Sequence, residues 1–486
     1  MNITILGALQ NSCKKLGEHA FIFSRTAHGD FSGITFRQFG KDVAGISQWM
    51  LKKDLAGKHI MIFSENSYEW MVLDVAAAGI VGVSAPVHAA LTAVQLKNAI
   101  QLADIACVFY SEGCRAAVEE CFDTFDIEFY SIERDLNGFI QENADAEIMD
   151  FEAIPHEQFC KIVFSSGTLG EPKAVMLSQK NIYSGVEPLM RRAPLNSNDK
   201  CYLLMPLNHT YAGIYNFLFS LVSGMQLYIS SGIKNLGSEL QIVKPTVFCV
   251  VPKLLASFYD LIQSAPNPKE ALFAALGGNI KYLFCGGSKA PSELRQYYKD
   301  AGLNLLDGYA LSETGSSFSI DYSGSTNVEA SGTLYENIIV KIDEPDENGC
   351  GEILAKGDMV FMGYYGNEKA TKEAFTEDGF FRTGDIGRVD ENRFLYLTGR
   401  KKKVFSTDRG LLVDPDSISQ YLLWKGGFEH VDICPNQAGK IMALLLTEKS
   451  DNEVVKIIKN INDELPRHMR VDSWKKVARE EISGWK

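Results

Sequence analysis

The sequence has no pair of cysteines spaced as C-x-x-C, although ten cysteines are spread from Cys13 to Cys434. Zinc ribbons and thioredoxin-like redox sites use such pairs, and small secreted domains use dense disulfide frameworks. Neither is indicated here, so we expect reduced thiols and a cytoplasmic location. The N-terminal stretch MNITILGALQNSCKK also lacks the charged-then-apolar order of a signal peptide.

Basic residues are fewer than acidic ones: the chain has 48 Lys and Arg residues and 61 Asp and Glu residues, which gives a net charge of −13. A nucleic-acid groove needs a basic face, so no nucleic-acid partner is expected. No G-x-G-x-x-G follows a predicted strand, which leaves a Rossmann dinucleotide site unsupported. A nucleotide is not excluded, because local residues can meet its charge.

One segment, residues 201–233, contains no Asp, Glu, Lys or Arg. Polar residues such as Asn208 and His209 interrupt its apolar runs, whereas a membrane-spanning helix needs about 20 predominantly apolar residues. We therefore expect buried protein and no transmembrane segment. Its aromatic residues are candidates for lining an apolar pocket: Tyr211, Tyr215, Phe217 and Phe219.

The first third of the chain alternates helix and strand signals, and the pattern resumes beyond residue 175. TFRQFGKDVAGISQWMLKK has helical apolar spacing, and KHIMIF follows as a strand, which is a pattern typical of βαβ units and a parallel sheet covered by helices. At 486 residues the chain exceeds the usual size of a single core, so two or more domains are expected. Short strands and turns begin near Cys350. We predict domains at 1–400 and 401–486.

The stretch FSSGTLGEPKAV, residues 164–175, lies between two apolar runs that read as strands. Its glycines let backbone N–H groups approach a ligand, its hydroxyls add donors, and Lys173 adds a point charge. This suits an oligophosphate. No helix follows, so it is not a Walker loop, and taken alone it could equally be an ordinary hairpin.

Four further motifs follow in order. LFCGGSKAPSEL and DGYALSET each follow a predicted strand, where α/β sheets present ligands. FRTGD ends in Asp385, which we predict on a tight turn, and LTGRKKK contains Arg400. Each motif alone has an ordinary alternative: a core aromatic residue, a solvated acid, a turn residue or an exposed basic run. Their joint order favours a functional interpretation.

In this order the five motifs resemble the adenylate-forming superfamily of acyl-CoA synthetases, carrier-protein adenylation domains and luciferases. The residues of these motifs are most similar to those of the long-chain fatty acyl-CoA synthetase branch. The resemblance implies an α/β fold with a large N-terminal domain of parallel-type sheets covered by helices, a distorted β-barrel-like subdomain, and a small mobile α+β C-terminal domain. It also implies ATP-dependent conversion of a carboxylic acid to acyl-AMP with release of pyrophosphate, then transfer to a thiol.

The resemblance further implies ATP, Mg²⁺ and CoA, or a carrier-protein phosphopantetheine, as cofactors, and it assigns roles to residues. The phosphate loop comprises Ser165, Ser166, Gly167, Thr168, Gly170 and Lys173. The nucleotide site comprises Gly286, Gly287, Ser288, Asp307, Gly308, Tyr309 stacked on adenine, Ser312 at the α-phosphate, and Asp385 and Arg400 at the ribose. Glu313 and Thr168 would hold Mg²⁺, His209 would gate the acid, Lys402 would be the hinge, and Lys486 would be the catalytic lysine.

The sequence departs from the family pattern at several of these positions. Leu169 stands where the family has a second Thr, and Trp485 interrupts the usual S-G-K before Lys486. No Asp or Glu lies between Lys200 and Gly237 to pair an ammonium group, so an amino-acid substrate is disfavoured. With the family resemblance, the aromatic residues of that segment are predicted to wall a pocket for a fatty acyl or aryl acid. Three functions stay open: a carboxylate–CoA ligase, a ligase acting on a carrier protein, and a nucleotide-binding relative that has lost adenylation.

Overall fold

The computed structural model describes residues 4–166, 172–322, 327–401, 403, 405–406, 412–436, 438–466 and 469–479. Its strands, in chain order, are β1 Ala20–Arg25, β2 Phe31–Thr35, β3 His59–Phe63, β4 Val83–Val87, β5 Ile105–Tyr110, β6 Glu128–Ser131, β7 Phe159–Ser166, β8 Pro172–Ser178, β9 Lys200–Leu203, β10 Gln226–Ile229, β11 Val247–Val250, β12 Tyr282–Cys285, β13 Leu305–Ala310, β14 Ser317–Ile320, β15 Thr333–Leu334, β16 Ile338–Asp343, β17 Gly351–Gly357, β18 Gly363–Tyr364, β19 Phe381–Val389, β20 Leu395–Arg400, β21 Phe405–Ser406, β22 Leu412–Val413, β23 His430–Pro435, β24 Ile441–Leu446 and β25 Ser473–Lys476.

The α-helices, in chain order, are α1 Ile5–Leu16, α2 Phe36–Lys52, α3 Tyr68–Ala76, α4 Ala93–Leu102, α5 Arg115–Glu119, α6 Asn137–Gln141, α7 Gln179–Tyr183, α8 Val186–Arg192, α9 Thr210–Ala212, α10 Phe219–Ser223, α11 Leu236–Val243, α12 Pro252–Ile262, α13 Pro268–Ala275, α14 Ser292–Asp300, α15 Glu368–Ala374, α16 Pro415–Gly426 and α17 Asp451–Glu464. A π-helical stretch, Gly213–Leu218, joins α9 to α10. No helix within the described ranges is long and apolar enough to cross a membrane.

Two large sheets form the body of the protein. The first has the strand order β18-β8-β7-β4-β3-β5-β6, and the second has the order β15-β14-β13-β12-β11-β9-β10-β1-β2. The central pairs of both sheets are parallel, while the edges are antiparallel at β7–β8 and β13–β14. The predicted fold class, parallel-type sheets covered by helices, is thereby confirmed.

The subdomain predicted to resemble a distorted barrel is an open sheet in the part of the chain that the structure describes. Its four antiparallel strands follow the order β16-β17-β19-β20. Asp385 lies inside β19, so its predicted position on a tight turn is wrong. Along β19 buried and partly buried residues alternate, and the Asp385–Arg400 pair holds the strand in register. The strand pairing continues through the T-G-D sequence, which is otherwise typical of a turn.

The residues after 401 form a small sheet, β23-β24-β25, flanked by α16 and α17. The buried apolar side chains of this tail belong to the same cluster as those of the second sheet and its helices. Contact between the two parts runs through α12 and α16, where the Tyr259 and Trp424 rings meet edge to face at 5.6 Å. The boundary at 401 stays a prediction.

All ten cysteines are free thiols, and seven of them are buried. The pKa of the Cys160 thiol lies well above its ordinary range because of burial, and burial raises the pKa of Cys107 to about 12. A thiol with a raised pKa is a poor nucleophile at neutral pH. The buried cysteines therefore act as small apolar core residues.

Candidate active site

The phosphate-loop motif is carried on an antiparallel hairpin made of β7 and β8. Ser165 and Lys173 are register partners across it, at the end where the two strands are joined. The predicted strand–loop–strand arrangement is confirmed by this pairing. Gly167, Thr168 and Gly170 lie outside the described residues, so their assignments stay predictions.

Lys173 and Glu313 meet at a tyrosine that the sequence analysis did not single out. Glu313 lies in a short 3₁₀ turn after β13, and its Oε1 accepts a hydrogen bond of 3.0 Å from the Tyr364 hydroxyl. The Lys173 Nζ lies 4.3 Å from the centroid of the same ring. Burial and the adjacent Glu313 raise the pKa of Tyr364, so it stays a neutral donor.

The position of Tyr364 follows from strand pairing. β18 pairs with β8 through Tyr364 and Val175, and the Phe361 N–H donates to the Glu313 carbonyl at 2.8 Å. One short segment therefore ties the hairpin to the Glu313 turn. A cation and a carboxylate are brought together from residues 140 positions apart in the sequence.

Asp385 joins Tyr309 to Arg400. The Tyr309 hydroxyl donates to Asp385 Oδ2, and Arg400 Nε lies 3.0 Å from Asp385 Oδ1. Burial raises the pKa of Asp385, while the Arg400 guanidinium works in the opposite direction. The Tyr309 ring packs edge-on against Phe318 at 4.8 Å. The structure brings together these three predicted nucleotide residues, with both carboxylate oxygens already engaged.

The Gly286–Ser288 turn follows β12 and precedes α14, as predicted. A Cβ at Gly286 would lie 3.0 Å from the Tyr211 ring, whose hydroxyl is fixed by the Phe284 carbonyl at 2.7 Å. Gly287 has φ +85° and is exposed with Ser288. Glycine is needed at 286 for this close approach and at 287 for its backbone conformation.

Asp307 was predicted at the nucleotide, but its carboxylate is committed elsewhere. It is buried, with Oδ2 at 3.4 Å from Nη1 of Arg295, and Asp321 lies 3.1 Å from the Nη2 atom of the same guanidinium. Burial raises the pKa of Asp307 and also that of Asp321, the latter to about 7. The Asp307 side chain therefore belongs to a buried ion cluster. Gly308 follows it within β13, and Ser312 lies in the short 3₁₀ turn after that strand.

His209 lies at the exposed edge of a cavity, directly before α9. Its ring faces that of His88, which follows β4, with centroids 6.2 Å apart. The Ala90 N–H donates to His88 Nδ1 at 3.1 Å, so a neutral His88 carries its proton on Nε2. Surrounding protein lowers the pKa of His209, and His88 lowers it further. His88 had no distinguishing sequence signal.

The uncharged segment walls the cavity beside His209, but only one of its four predicted aromatic residues does so. Phe217 lines the cavity, together with Leu207, Ile214 and Leu218. Tyr211 and Tyr215 turn the other way: their rings lie 5.5 Å apart, and that of Tyr215 lies 5.3 Å from Phe284. Lys402 and Lys486 fall outside the described residues.

Glu313 fits a divalent cation that is shared with phosphates. No group of three or more His, Cys, Asp or Glu side chains forms a metal cage in the described part of the chain. Mg²⁺, however, is commonly held by one or two carboxylates and substrate phosphates. Glu313 Oε1 has the Tyr364 donor, and the second oxygen has no hydrogen-bond partner within the described ranges. The donor set is hard oxygen, as Mg²⁺ prefers.

The family described as AMP-binding enzyme matches residues 9–365. The chain belongs to this family. The match spans the phosphate hairpin, the Gly286–Ser288 turn and Glu313, so the family predicted from the motifs is confirmed, as is the enzyme class of AMP-forming ligases.

Individual relatives of this AMP-binding enzyme agree with the family match. The long-chain-fatty-acid–CoA ligase FadD15 of Mycobacterium bovis is 26% identical over 456 residues, covering 82% of this chain and 75% of its own length. The malonate–CoA ligase of Arabidopsis thaliana is 26% identical over 513 residues, covering 98% of this chain and 81% of its own. The crystal structure of the anthranilate CoA ligase AuaEII with anthranoyl-AMP superposes with a TM-score of 0.83 at 17% identity, covering 98% and 93% of the two chains. That last likeness concerns the fold.

Proposed function

We propose that this AMP-binding enzyme is an acid–CoA ligase that joins an acyl or aryl carboxylic acid to AMP and then to the thiol of CoA. The observation that carries the proposal is the convergence of Lys173 and Glu313 at Tyr364, because a cation and a carboxylate then lie together at the end of the β7–β8 hairpin that carries the glycine–hydroxyl motif. Phosphoryl chemistry needs mainly positioning and charge neutralisation. CoA is favoured as the acceptor because the relatives compared above are named CoA ligases.

In the first step the acid oxygen attacks the α-phosphorus of ATP, and pyrophosphate leaves. The hairpin with Ser165, Ser166, Gly167, Thr168, Gly170 and Lys173 would hold the departing phosphates. Glu313, with Thr168, would hold Mg²⁺, which supplies charge neutralisation on the phosphate oxygens when bound. Tyr364 would orient the Glu313 carboxylate through its hydrogen bond. Ser312, next to Glu313, would donate to the α-phosphate.

The nucleoside would lie against the Gly286–Ser288 turn and Tyr309, with Asp385 accepting from the ribose hydroxyls. Because Tyr309 and Arg400 already occupy both Asp385 oxygens, ribose binding would displace the tyrosine hydroxyl and leave its ring to face adenine. Lys486 would neutralise charge at the acid and α-phosphate. A tail that turns about Lys402 would then admit CoA.

In the second step the thiol sulfur attacks the acyl carbon, the C–S bond forms, and AMP leaves with the bonding electron pair. The thiol proton must be released. Burial and His88 lower the pKa of His209, which favours the neutral ring that a proton acceptor needs. Its position at the mouth of the cavity suits this task.

Pyrophosphate release across a panel of fatty and aromatic acids, with and without CoA, tests the proposal, with the product identified as a thioester by mass spectrometry. We expect acid-dependent release and a CoA thioester. Acyl-AMP that accumulates with CoA but is consumed by a phosphopantetheinylated carrier protein would assign the acceptor to the carrier. ATP binding without pyrophosphate release, for every acid, would overturn the ligase assignment.

A further inference from the structure

The loop that carries His209 is bound to the first sheet through the side chain of Asn66. The Asn66 Nδ2 atom donates to the Met205 carbonyl at 2.9 Å, and its Oδ1 atom accepts from the Leu207 N–H at 2.8 Å. Within the described ranges neither backbone group has another hydrogen-bond partner. One amide therefore satisfies both a donor and an acceptor on the same loop.

These two bonds suit the amide group of an asparagine. The carbonyl can bond only to the amide NH₂ and the N–H only to the amide oxygen, so the pattern fixes which way the amide points. Aspartate has the same shape, but it would keep only the bond from Leu207 and would place its second oxygen against the Met205 carbonyl. Leu207 is buried, so an unpaired N–H at this residue is costly.

Asn66 and His88 leave the first sheet at the same edge. The strands β3 and β4 are parallel neighbours in which Phe63 pairs with Val87, so the residues that follow the two strands emerge at one end of the sheet. The loop at 205–207 follows β9, which belongs to the second sheet. The two bonds of the asparagine therefore join the sheets beside the pair of histidines.

His209 lies two residues beyond the loop segment that Asn66 holds. Its N–H donates to the Pro206 carbonyl at 3.2 Å, and its carbonyl accepts from the Gly213 N–H at 3.0 Å. The histidine thus stands at the end of a tight turn whose start is fixed by the asparagine. Because its ring faces that of His88 across 6.2 Å, a shift of the loop would change the spacing of the two rings.

We propose that Asn66 is a positioning residue that holds the His209 ring beside His88 in the candidate active site. The inference rests on the proposed function, in which His209 acts on the reacting groups, and it adds a residue that acts through this histidine. A displacement of about 1 Å in a reacting group can lower a rate by about 100-fold. A bond between the two sheets at this point therefore bears directly on turnover.

The first test measures two half-reactions in the wild type and in Asn66→Ala: pyrophosphate release from acid and ATP, and thioester formation from CoA and the acyl-AMP of the best acid in the panel above. In the half-reaction that His209→Ala slows, which is thioester formation by the assignment above, Asn66→Ala should lower kcat roughly tenfold and leave KM nearly unchanged. Asn66→Asp keeps one bond and should lie between the two. Wild-type kcat in a folded Asn66→Ala would overturn the inference.

A functional double-mutant cycle separates positioning from a general structural role. His209→Ala removes the group that Asn66 positions, so adding Asn66→Ala to it should change the same rate by less than about twofold. Equal losses in both backgrounds, or a His209→Ala enzyme with wild-type rates in both half-reactions, would overturn the inference. If Asn66→Ala does not fold, Asn66→Asp takes its place in the cycle.

Asn198→Ala is the matched control for the loss of an asparagine side chain. Asn198 is exposed and lies before β9, whereas the loop held by Asn66 comes after that strand. The control variant should keep wild-type rates in both half-reactions. A tenfold loss in Asn198→Ala as well would mean that the kinetic effect is not specific to the Asn66 bonds.

The titration of His209 reports the place of its ring without any turnover. Burial lowers the pKa of His209 most, and His88, which follows β4, lowers it further. The other charged groups that line the cavity beside it are Lys161 of β7 and Asp74 of α3, whose opposite charges lie 2.8 Å apart. Loosening the loop would expose the ring to water and move it from His88, so the pKa should rise toward its ordinary value.

NMR of the enzyme labelled with ¹³C-histidine measures this pKa, and the His209 signal is identified by its absence from His209→Ala. We expect a higher titration midpoint in Asn66→Ala than in the wild type, and an unchanged midpoint in Asn198→Ala. An unchanged midpoint in Asn66→Ala would show that the ring stays in place without the asparagine and would reject the inference. If no acid releases pyrophosphate, the ligase proposal fails, and this titration still decides whether Asn66 positions the ring.

Discussion

At the scale of single residues, Tyr364 is the side chain that organises the candidate site. Its hydroxyl holds Glu313 and its ring lies under Lys173. If Glu313 carries the metal and phosphate charge as proposed, the carboxylate is indispensable, while the tyrosine only orients it. The two roles differ in the size of the loss that each substitution should cause.

Glu313→Gln should lower the rate of pyrophosphate release by about 100-fold or more, since it removes a charge that acts on the transferring phosphate. The change is isosteric, and the backbone bond from Phe361 to Glu313 is kept, so the Tm should stay close to that of the wild type. Stopped-flow or coupled pyrophosphate assays measure the effect.

Tyr364→Phe is the matched companion, because it removes the hydrogen bond to Glu313 and keeps the ring beneath Lys173. We expect a loss of about tenfold, well short of that for Glu313→Gln. The exposed Glu377→Gln serves as a control for loss of an acidic residue. Wild-type turnover in Glu313→Gln would remove Glu313 from the mechanism.

Residues inside quoted motifs could be predicted from the sequence, whereas their partners could not. Glu313, Asp385 and Arg400 were found because each sits in a short recognisable string, and the structure brings Asp385 and Arg400 together. Tyr364 and His88 have no such string. Their positions depend on the pairing of β18 with β8 and on the approach of the His88 ring to that of His209, which are non-local facts.

At the scale of elements, strand β13 contributes Asp307 to a buried ion cluster. One buried guanidinium, that of Arg295 on α14, faces the carboxylates of Asp307 and Asp321. Burial is the main cause that raises the pKa of Asp321 from its ordinary 3.8 to about 7, and the neighbouring Asp307 adds to it. Two acids that share one cation cannot both be fully compensated.

This cluster makes the free energy of unfolding depend on pH. Between about pH 4 and pH 7 the folded protein keeps a proton on Asp321 that the unfolded chain releases, so stability falls as the pH rises through this window. Asp321→Asn should flatten that fall by a few kcal/mol, at about 1.4 kcal/mol for each pKa unit. Urea unfolding at several pH values measures it.

The exposed Asp123→Asn is the control for this prediction, because the same substitution on the surface should leave the pH dependence unchanged. If Asp321→Asn and wild type lose stability in parallel between about pH 5 and pH 7, another group carries the proton. The result bears on the nucleotide site, since β13 leads directly to Tyr309 and Glu313.

The regular elements were largely predictable because their apolar spacing was strong. The apolar positions of α2 that gave the helical pattern, Phe36, Phe39, Val43, Ile46 and Met50, are all buried. The antiparallel pair β13–β14, the open form of the β16–β20 sheet and the strand around Asp385 were not predicted. In each case pairing with a neighbouring strand decides the structure. It overrides a local turn propensity such as that of T-G-D.

At the scale of the whole molecule, the tail is packed against the large part through aromatic rings. Trp424 of α16 contacts Tyr259 of α12, which in turn lies 4.7 Å from Tyr297. If the tail turns about Lys402 as proposed, this contact would have to break. Its strength in solution can be measured without assuming the motion.

A double-mutant cycle of Trp424→Leu and Tyr259→Leu should give a coupling energy of about 1 kcal/mol, as expected for an edge-to-face aromatic pair. Chemical unfolding of the four proteins supplies the values. The cycle of Trp474→Leu with Tyr259→Leu is the control, because within the described ranges the Tyr259 ring contacts the rings of Tyr297 and Trp424 and not that of Trp474. Zero coupling for the first pair would mean that the tail does not dock on α12 in solution.

The buried cysteines allow unfolding of this protein to be followed by thiol labelling. Seven thiols are shielded inside the fold and only Cys13, Cys350 and Cys434 are partly exposed. A maleimide dye should therefore label at most the three partly exposed thiols of the intact enzyme and all ten thiols of the unfolded chain. Damage, ageing or loss of a stabilising ligand could then be followed by colour alone, in a sample that needs no engineered tag.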